Sequence, residues 1–200
     1  MAKHSHYPTY DVWEENREWD AHTRKIVGQR KTPQVACKFL TKQEALLVQA
    51  VASVLIDDHR LEVLTYITQH IDDSLASPIG ESQRKVGTPP KKELYRLGLA
   101  GIDGESHFLF RTDFVALKRE EQQAVMDAIA TNKANQATVW SQVAPKDFFK
   151  KLLGDVVGAY YSHPLVWSDI GYGGPAYPRG WVRVEKGLVD PWEAKKDGKS

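Results

Sequence analysis

Residues 145–161 read Pro145-Lys-Asp-Phe-Phe-Lys-Lys-Leu-Leu-Gly-Asp-Val-Val-Gly-Ala-Tyr-Tyr161. Phe148, Phe149, Leu152, Leu153, Val156, Val157 and Tyr160 recur at spacings of three, four and seven. That period wraps a wide apolar face along one side of a helix, and such a face has to be buried against other elements. Pro145 opens the helix at no cost, because first-turn amides have no intrahelical acceptor.

Working back from this helix, the same period returns. Thr41 followed by Glu44 predicts a capping box, with Leu47, Val48, Val51, Val54 and Leu55 as the inward stripe behind it. The cluster Asp57-Asp58-His59 interrupts the pattern. A second helix is expected over 60–76 on Leu64, Ile67, Ile71 and Leu75, ended by Ser77-Pro78. Residues 77–90 are a loop by composition. Pro89-Pro90 opens a third helix with Leu94, Leu97 and Ile102 inward, in which Gly98 and Gly101 permit close backbone packing. A fourth is expected over 118–133 on Val125, Met126 and Ile129. His107–Val115 reads as a loop or a short extended piece. Trp181-Val-Arg-Val-Glu is the one candidate strand. The expected fold class is all-α, a single compact bundle of about five helices.

The flanks differ from this body. Residues 1–33 form a polar N-terminal arm carrying Trp13 and Trp19, irregular or with one short helix over Val12–Asp20. Its tryptophans either pin the arm to the body or cover a partner. The helical domain is placed at 34–161, an aromatic Gly/Pro-rich segment at 162–191, and a charged tail at 192–200. The segment from Ser162 to Trp181 is too dense in helix breakers for a regular helix to be expected there. It is also too aromatic for disorder. Rings on Gly/Pro-rich turns suit a rigid docking surface, since Tyr and Trp bury much area while losing few rotamers. The partner-binding residues expected from this segment are Tyr160, Tyr161, His163, Trp167, Tyr172, Gly173, Gly174, Pro175, Tyr177, Pro178, Arg179 and Trp181.

Composition narrows the function classes. With 27 basic and 26 acidic residues the net charge is +1, which gives no general attraction to nucleic acid or anionic membrane. One cysteine, Cys37, leaves no internal disulfide, CxxC pair or Cys-rich zinc site, and reads as a small buried hydrophobe. No stretch approaches the roughly 18 apolar residues of a membrane span. The amino terminus shows neither an apolar h-region nor an Arg-Arg pair. The chain is therefore expected in the cytoplasm, or in a membrane-associated complex that travels with a partner.

Catalytic and metal motifs are thin. No GxGxxG opening a helix, GxxxxGK[ST], HExxH or GxSxG occurs. Gly171-Tyr-Gly-Gly imitates a phosphate cradle but is flanked by Pro175 and Pro178, and reads as a turn. His163 near Asp169 offers a base with a carboxylate, against the plainer reading of a histidine bonded within a turn. Asp57, Asp58, His59 and Asp72-Asp73 lack ligand spacing, and read as solvated helix ends. Ala2-Lys3-His4 and His4-x-His6 resemble an adventitious copper or nickel site, and Arg84, Lys85, Lys91 and Lys92 a solvated basic loop. No catalytic, cofactor or metal residue is assigned to this chain.

At the carboxy end the chain resembles a known family. Phe148-Phe149, Leu152-Leu153, Gly158-Ala-Tyr-Tyr-Ser-His-Pro, Trp167 and Ile170-Gly-Tyr-Gly-Gly-Pro-Ala-Tyr-Pro-Arg-Gly-Trp are similar to the gluconate 2-dehydrogenase subunit 3 family. So are Phe39-Leu-Thr-Lys-Gln-Glu, Tyr95-Arg-Leu-Gly-Leu-Ala-Gly-Ile-Asp, Phe114-Val-Ala-Leu and Glu120-Glu-Gln. The resemblance implies a non-catalytic small subunit that stabilises, or assists maturation of, a large FAD-dependent dehydrogenase of the glucose–methanol–choline type. FAD would sit in that partner, and haem c in a cytochrome third subunit. The substrate would be a sugar or sugar acid, with a glucoside 3-dehydrogenase-type complex as a variant. Beside it stand two other classes, an autonomous enzyme using His163 and Asp169 and an interaction module unrelated to redox.

Overall fold

Thr41 opens the helical body with both halves of its capping box in place. A computed structural model gives the architecture and describes residues 5–33, 36–79, 84–137, 139–183 and 185–195. The Thr41 hydroxyl accepts from the Glu44 amide at 3.2 Å, and the Glu44 carboxylate accepts from the Thr41 amide at 2.8 Å. Ahead of that cap, the buried Asp72 carboxylate accepts the amides of Lys38 (2.6 Å), Phe39 (2.9 Å) and Leu40 (2.7 Å). One side chain thereby satisfies three backbone donors and ties the incoming strand of chain to a helix that lies further on in sequence.

The described residues hold seven α-helices: α1 (Ala21–Lys31), α2 (Lys42–Ile56), α3 (Leu61–Ala76), α4 (Lys91–Phe110), α5 (Arg119–Ala130), α6 (Pro145–Tyr160) and α7 (Pro164–Ile170). Short 3-10 turns occupy Val12–Glu18, Phe114–Ala116 and Val139–Ser141. The core lies among α2 to α6, with α6 touching α2, α3, α4 and α5. The predicted stripes of α2 to α5 face inward almost without exception, Leu55 and Leu97 being half-buried. On α6 the buried face is narrower than its apolar pattern: Phe148, Leu152, Val156 and Tyr160 are buried, Phe149 and Leu153 half-buried, and Val157 exposed.

Gly98 and Gly101 are what let α4 lie against its neighbours. A Cβ at Gly98 would stand 2.2 Å from the Phe148 ring, and one at Gly101 would stand 2.4 Å from the Trp140 ring. The aromatic rings fill the space the missing side chains leave.

Several expectations are corrected. His107–Phe110 continues α4 rather than forming a loop or extended piece, because Ser106 is buried and the helix runs on to the left-handed Arg111 (φ 63°). The short helix allowed for over Val12–Asp20 is present as a 3-10 helix over Val12–Glu18, but a second, unexpected helix, α1, follows it. The Asp20 carboxylate caps α1, accepting from the His22 and Thr23 amides. The breaker-rich segment does hold a helix, α7, since Pro164 sits at its first turn and Gly171 just beyond its end. Trp181–Arg183 and Glu185 carry no strand, and Val184 lies outside the described residues. Trp192 and Ala194, expected in the tail, pack against the body. The remainder of that tail from residue 196, and the His4 motif, lie outside the described residues.

Candidate partner-docking surface

α7 is the floor of the carboxy-terminal segment. His163 caps it: the Leu165 amide donates to His163 Nδ1 at 3.2 Å. The ring is wholly buried against Tyr66, with centroids 5.3 Å apart. Burial first, and then the nearby Arg60 charge, push the His163 pKa down to about 4. A neutral ring that accepts at Nδ1 carries its proton on Nε2.

Asp169 does not meet this histidine. Its carboxylate takes Arg60 Nη2 at 2.7 Å, while the same guanidinium makes a forked contact to Asp58. Tyr160 donates its hydroxyl to Asp58 at 3.3 Å. Burial pushes the Asp58 carboxyl up, and the hydrogen bonds from Arg60 outweigh it and hold the group below its usual range. His163 and Asp169 therefore belong to adjoining structural networks and form no base–carboxylate pair.

The other carboxylates singled out in the sequence are also engaged. Asp57 pairs with Arg119 at 2.8 Å, Asp73 with Lys38 at 2.7 Å, and His59 Nδ1 lies 2.9 Å from Ser53 Oγ. Cys37 is half-buried, and burial together with Asp72 and Asp73 pushes its thiol up, away from nucleophilic character. A cluster the sequence did not disclose joins α4 and α6. The Asp155 carboxylate accepts Tyr95 OH at 2.7 Å and Lys151 Nζ at 2.6 Å, with Lys91 Nζ 3.3 Å away. Lys91 is thus held inside a polar network, where a solvated loop was expected. Its only advance signal was its place at the start of a helix whose buried face carries Tyr95.

The twelve docking residues expected from the sequence divide. Tyr160, His163, Trp167, Gly173 and Gly174 are buried within the chain, and Tyr172 stands edge-on to Trp167 with centroids 5.4 Å apart. Pro175 and Arg179 are half-buried. Four remain at the surface: Tyr161 (52% exposed), Tyr177 (70%), Trp181 (57%) and Pro178. Val182, Leu188 and Val189, not singled out beforehand, are exposed beside them in sequence.

This exposed stretch is anchored at both ends. Arg179 donates to the Gly173 carbonyl and lies 4.4 Å over the Trp192 ring. The buried Asp190 carboxylate accepts the amides of Val182 (3.1 Å) and Arg183 (2.7 Å), and its own amide donates to Glu193 at 2.7 Å. The rings of Tyr177 and Trp181 thus project from a backbone held by its own hydrogen bonds.

The family model for gluconate 2-dehydrogenase subunit 3 matches residues 42–174, from the first turn of α2 to the turn after α7. The chain belongs to the gluconate 2-dehydrogenase subunit 3 family. Neither the curated proteins nor the solved structures yield a match. The part shared with subunit 3 proteins contains the whole α2–α6 core, the Arg60–Asp169 tie and the Gly171–Gly174 turn. The arm before residue 42 and the anchored stretch carrying Tyr177 and Trp181 lie outside it. Among the described residues no helix is long and apolar enough to cross a membrane.

Proposed function

We propose that this chain is the non-catalytic small subunit of a gluconate 2-dehydrogenase-like complex. Its partner is a larger FAD-dependent dehydrogenase of the glucose–methanol–choline type, acting on a sugar or sugar acid, which it stabilises or helps to mature. Membership of the subunit 3 family supports the association. The observation that carries it is the anchored, outward-facing pair Tyr177 and Trp181, with Val182, Leu188 and Val189 exposed in the same thirteen-residue stretch. Single exposed apolar residues are ordinary, whereas a run of them on ordered backbone marks an interaction site.

In this reading the chain holds no flavin of its own. FAD in the larger subunit supplies the oxidation chemistry, and a cytochrome c subunit with haem c takes the electrons onward. A small subunit that binds only the folded flavoprotein stabilises it by mass action, in proportion to how far its concentration exceeds Kd.

Tagged chain co-expressed with the larger subunit tests this. The wild-type chain recovers a yellow, larger band. The double variant Tyr177→Ser/Trp181→Ser keeps its helical circular dichroism and loses capture by about 100-fold, as expected of two aromatic anchors. Undiminished capture by that folded variant removes the docking surface. Turnover of a sugar panel by the purified chain alone, with an artificial acceptor, removes the non-catalytic assignment.

A further inference from the structure

The two ends of the chain close on each other. Val12, Trp19, Val27 and Trp167 form a small core separate from that of α2 to α6, with Tyr10, Trp13 and Tyr172 packed on it. Hydrogen bonds cross between the ends. Ser5 Oγ donates to the Asp169 carbonyl at 3.1 Å, the Val12 amide to Ser168 Oγ at 3.1 Å, and Tyr10 OH to the Trp192 carbonyl at 2.8 Å. Arg30 reaches the Ser162 carbonyl at 2.9 Å. Two glycines permit the approach: a Cβ at Gly171 (φ +74°) would stand 2.4 Å from the Tyr7 ring, and one at Gly174 (φ +79°) 2.6 Å from the Trp19 ring.

This second core is much the smaller of the two, with four buried apolar side chains against a cluster that spans α2 to α6. Unmet buried nitrogens occur in both regions among the described residues: Trp19 Nε1 and Arg179 Nε and Nη1 on the joined ends, Trp140 Nε1 in the first core, and His163 Nε2 where α7 meets it. With less apolar surface buried, these ends form the weaker of the two cores and open before α2 to α6 do. The arm also lies wholly outside the family match, which starts at residue 42.

We propose that residues 5–31 are a clasp. They hold residues 167–183 and 185–194 closed, with Trp19 as the positioning residue, and so present Tyr177 and Trp181 in one geometry before a partner arrives. The use of the clasp rests on the docking reading above, since ordering a loop on binding costs affinity and prior ordering restores it. The clasp itself is a property of the isolated chain.

Amide hydrogen exchange on the full chain alone tests it. Trp19→Ala is expected to speed exchange across 169–194 by about tenfold or more, with α2 to α6 unchanged. Tyr10→Phe, which removes only the bond to Trp192, is a milder variant and is expected to speed the same segment to a smaller extent. Unchanged exchange at 169–194 in both variants overturns the clasp, as does acceleration that extends through α2 to α6. Those outcomes leave the docking surface standing. Undiminished capture of the flavoprotein by Tyr177→Ser/Trp181→Ser removes the docking surface and leaves the clasp.

Discussion

The guanidinium of Arg60 joins the carboxylate of Asp169 at 2.7 Å, across 109 positions of sequence, through the same Nη2 that with Nε holds the buried Asp58. One cation thus ties the entry of α3 to the last turn of α7, and through Asp58 to the Tyr160 hydroxyl at the end of α6. Removing it leaves a carboxylate buried without its counter-charge. That is more costly than never having had the pair.

Arg60→Ala is accordingly expected to destabilise the chain by about 2–3 kcal/mol, discounted from a fully buried pair because the Arg60 side chain is 31% exposed. Arg60→Lys recovers only part of this, since a point-charge ammonium does not reproduce the fork that grips Asp58 and still reaches Asp169. Urea unfolding of the two variants measures the difference. A loss in Arg60→Ala below about 0.5 kcal/mol, the level of an ordinary surface change, contradicts the tie.

The glycines give a prediction of opposite signs. Replacing an exposed helical Gly by Ala stabilises by up to about 1 kcal/mol, because alanine loses less backbone freedom. Gly154 and Gly158 on α6 have open space where a Cβ would go, and Gly154→Ala and Gly158→Ala are expected to raise stability by about that amount. At Gly98 the new methyl meets the Phe148 ring at 2.2 Å, in a core that cannot give way without moving the ring. Overpacking of this kind costs about 1–3 kcal/mol and exceeds the propensity gain, so Gly98→Ala is destabilising. Thermal melts of the three variants decide it. A higher Tm for Gly98→Ala means that the α4–α6 contact is looser than described.

Much of this architecture was legible in the sequence, and for identifiable reasons. The stripes of α2 to α6 were readable because each is long and buries a face by itself. The Thr41–Glu44 box was readable because both partners lie within one turn. α1 was not readable, since Val27 is its one buried residue and a single capping carboxylate, Asp20, marks its start. α7 is hidden by the very residues that delimit it: Pro164 and Gly171 are breakers by composition, yet they stand at the two places where a helix accepts them. The docking segment was legible as a segment and not residue by residue. His163 and Trp167 share the ring-rich composition of Tyr177 and Trp181, but α7 turns them inward, and no local pattern foretells that direction. The clasp joins residues such as Val12 and Ser168, 156 positions apart, and pairings of that range leave no spacing to read.

His163 supplies a pH dependence with a definite sign. Its folded pKa is about 4, against an unperturbed value of 6.5, so between those values the unfolded chain binds a proton that the folded chain does not. Stability contributed by the neutral, buried ring is complete above pH 6.5 and is lost as the pH falls toward 4. The shift corresponds to at most about 3 kcal/mol. Protonation would also remove the lone pair at Nδ1 that accepts the Leu165 amide, and would set a second positive charge beside Arg60. His163→Asn keeps a cap acceptor and discards the titration. Urea midpoints measured from pH 7 to pH 4 are expected to fall more steeply for the wild-type chain than for His163→Asn, the gap closing as the pH drops. Parallel slopes for the two proteins would show that some other group carries the acid sensitivity, and that the ring at the start of α7 is already accessible to protons.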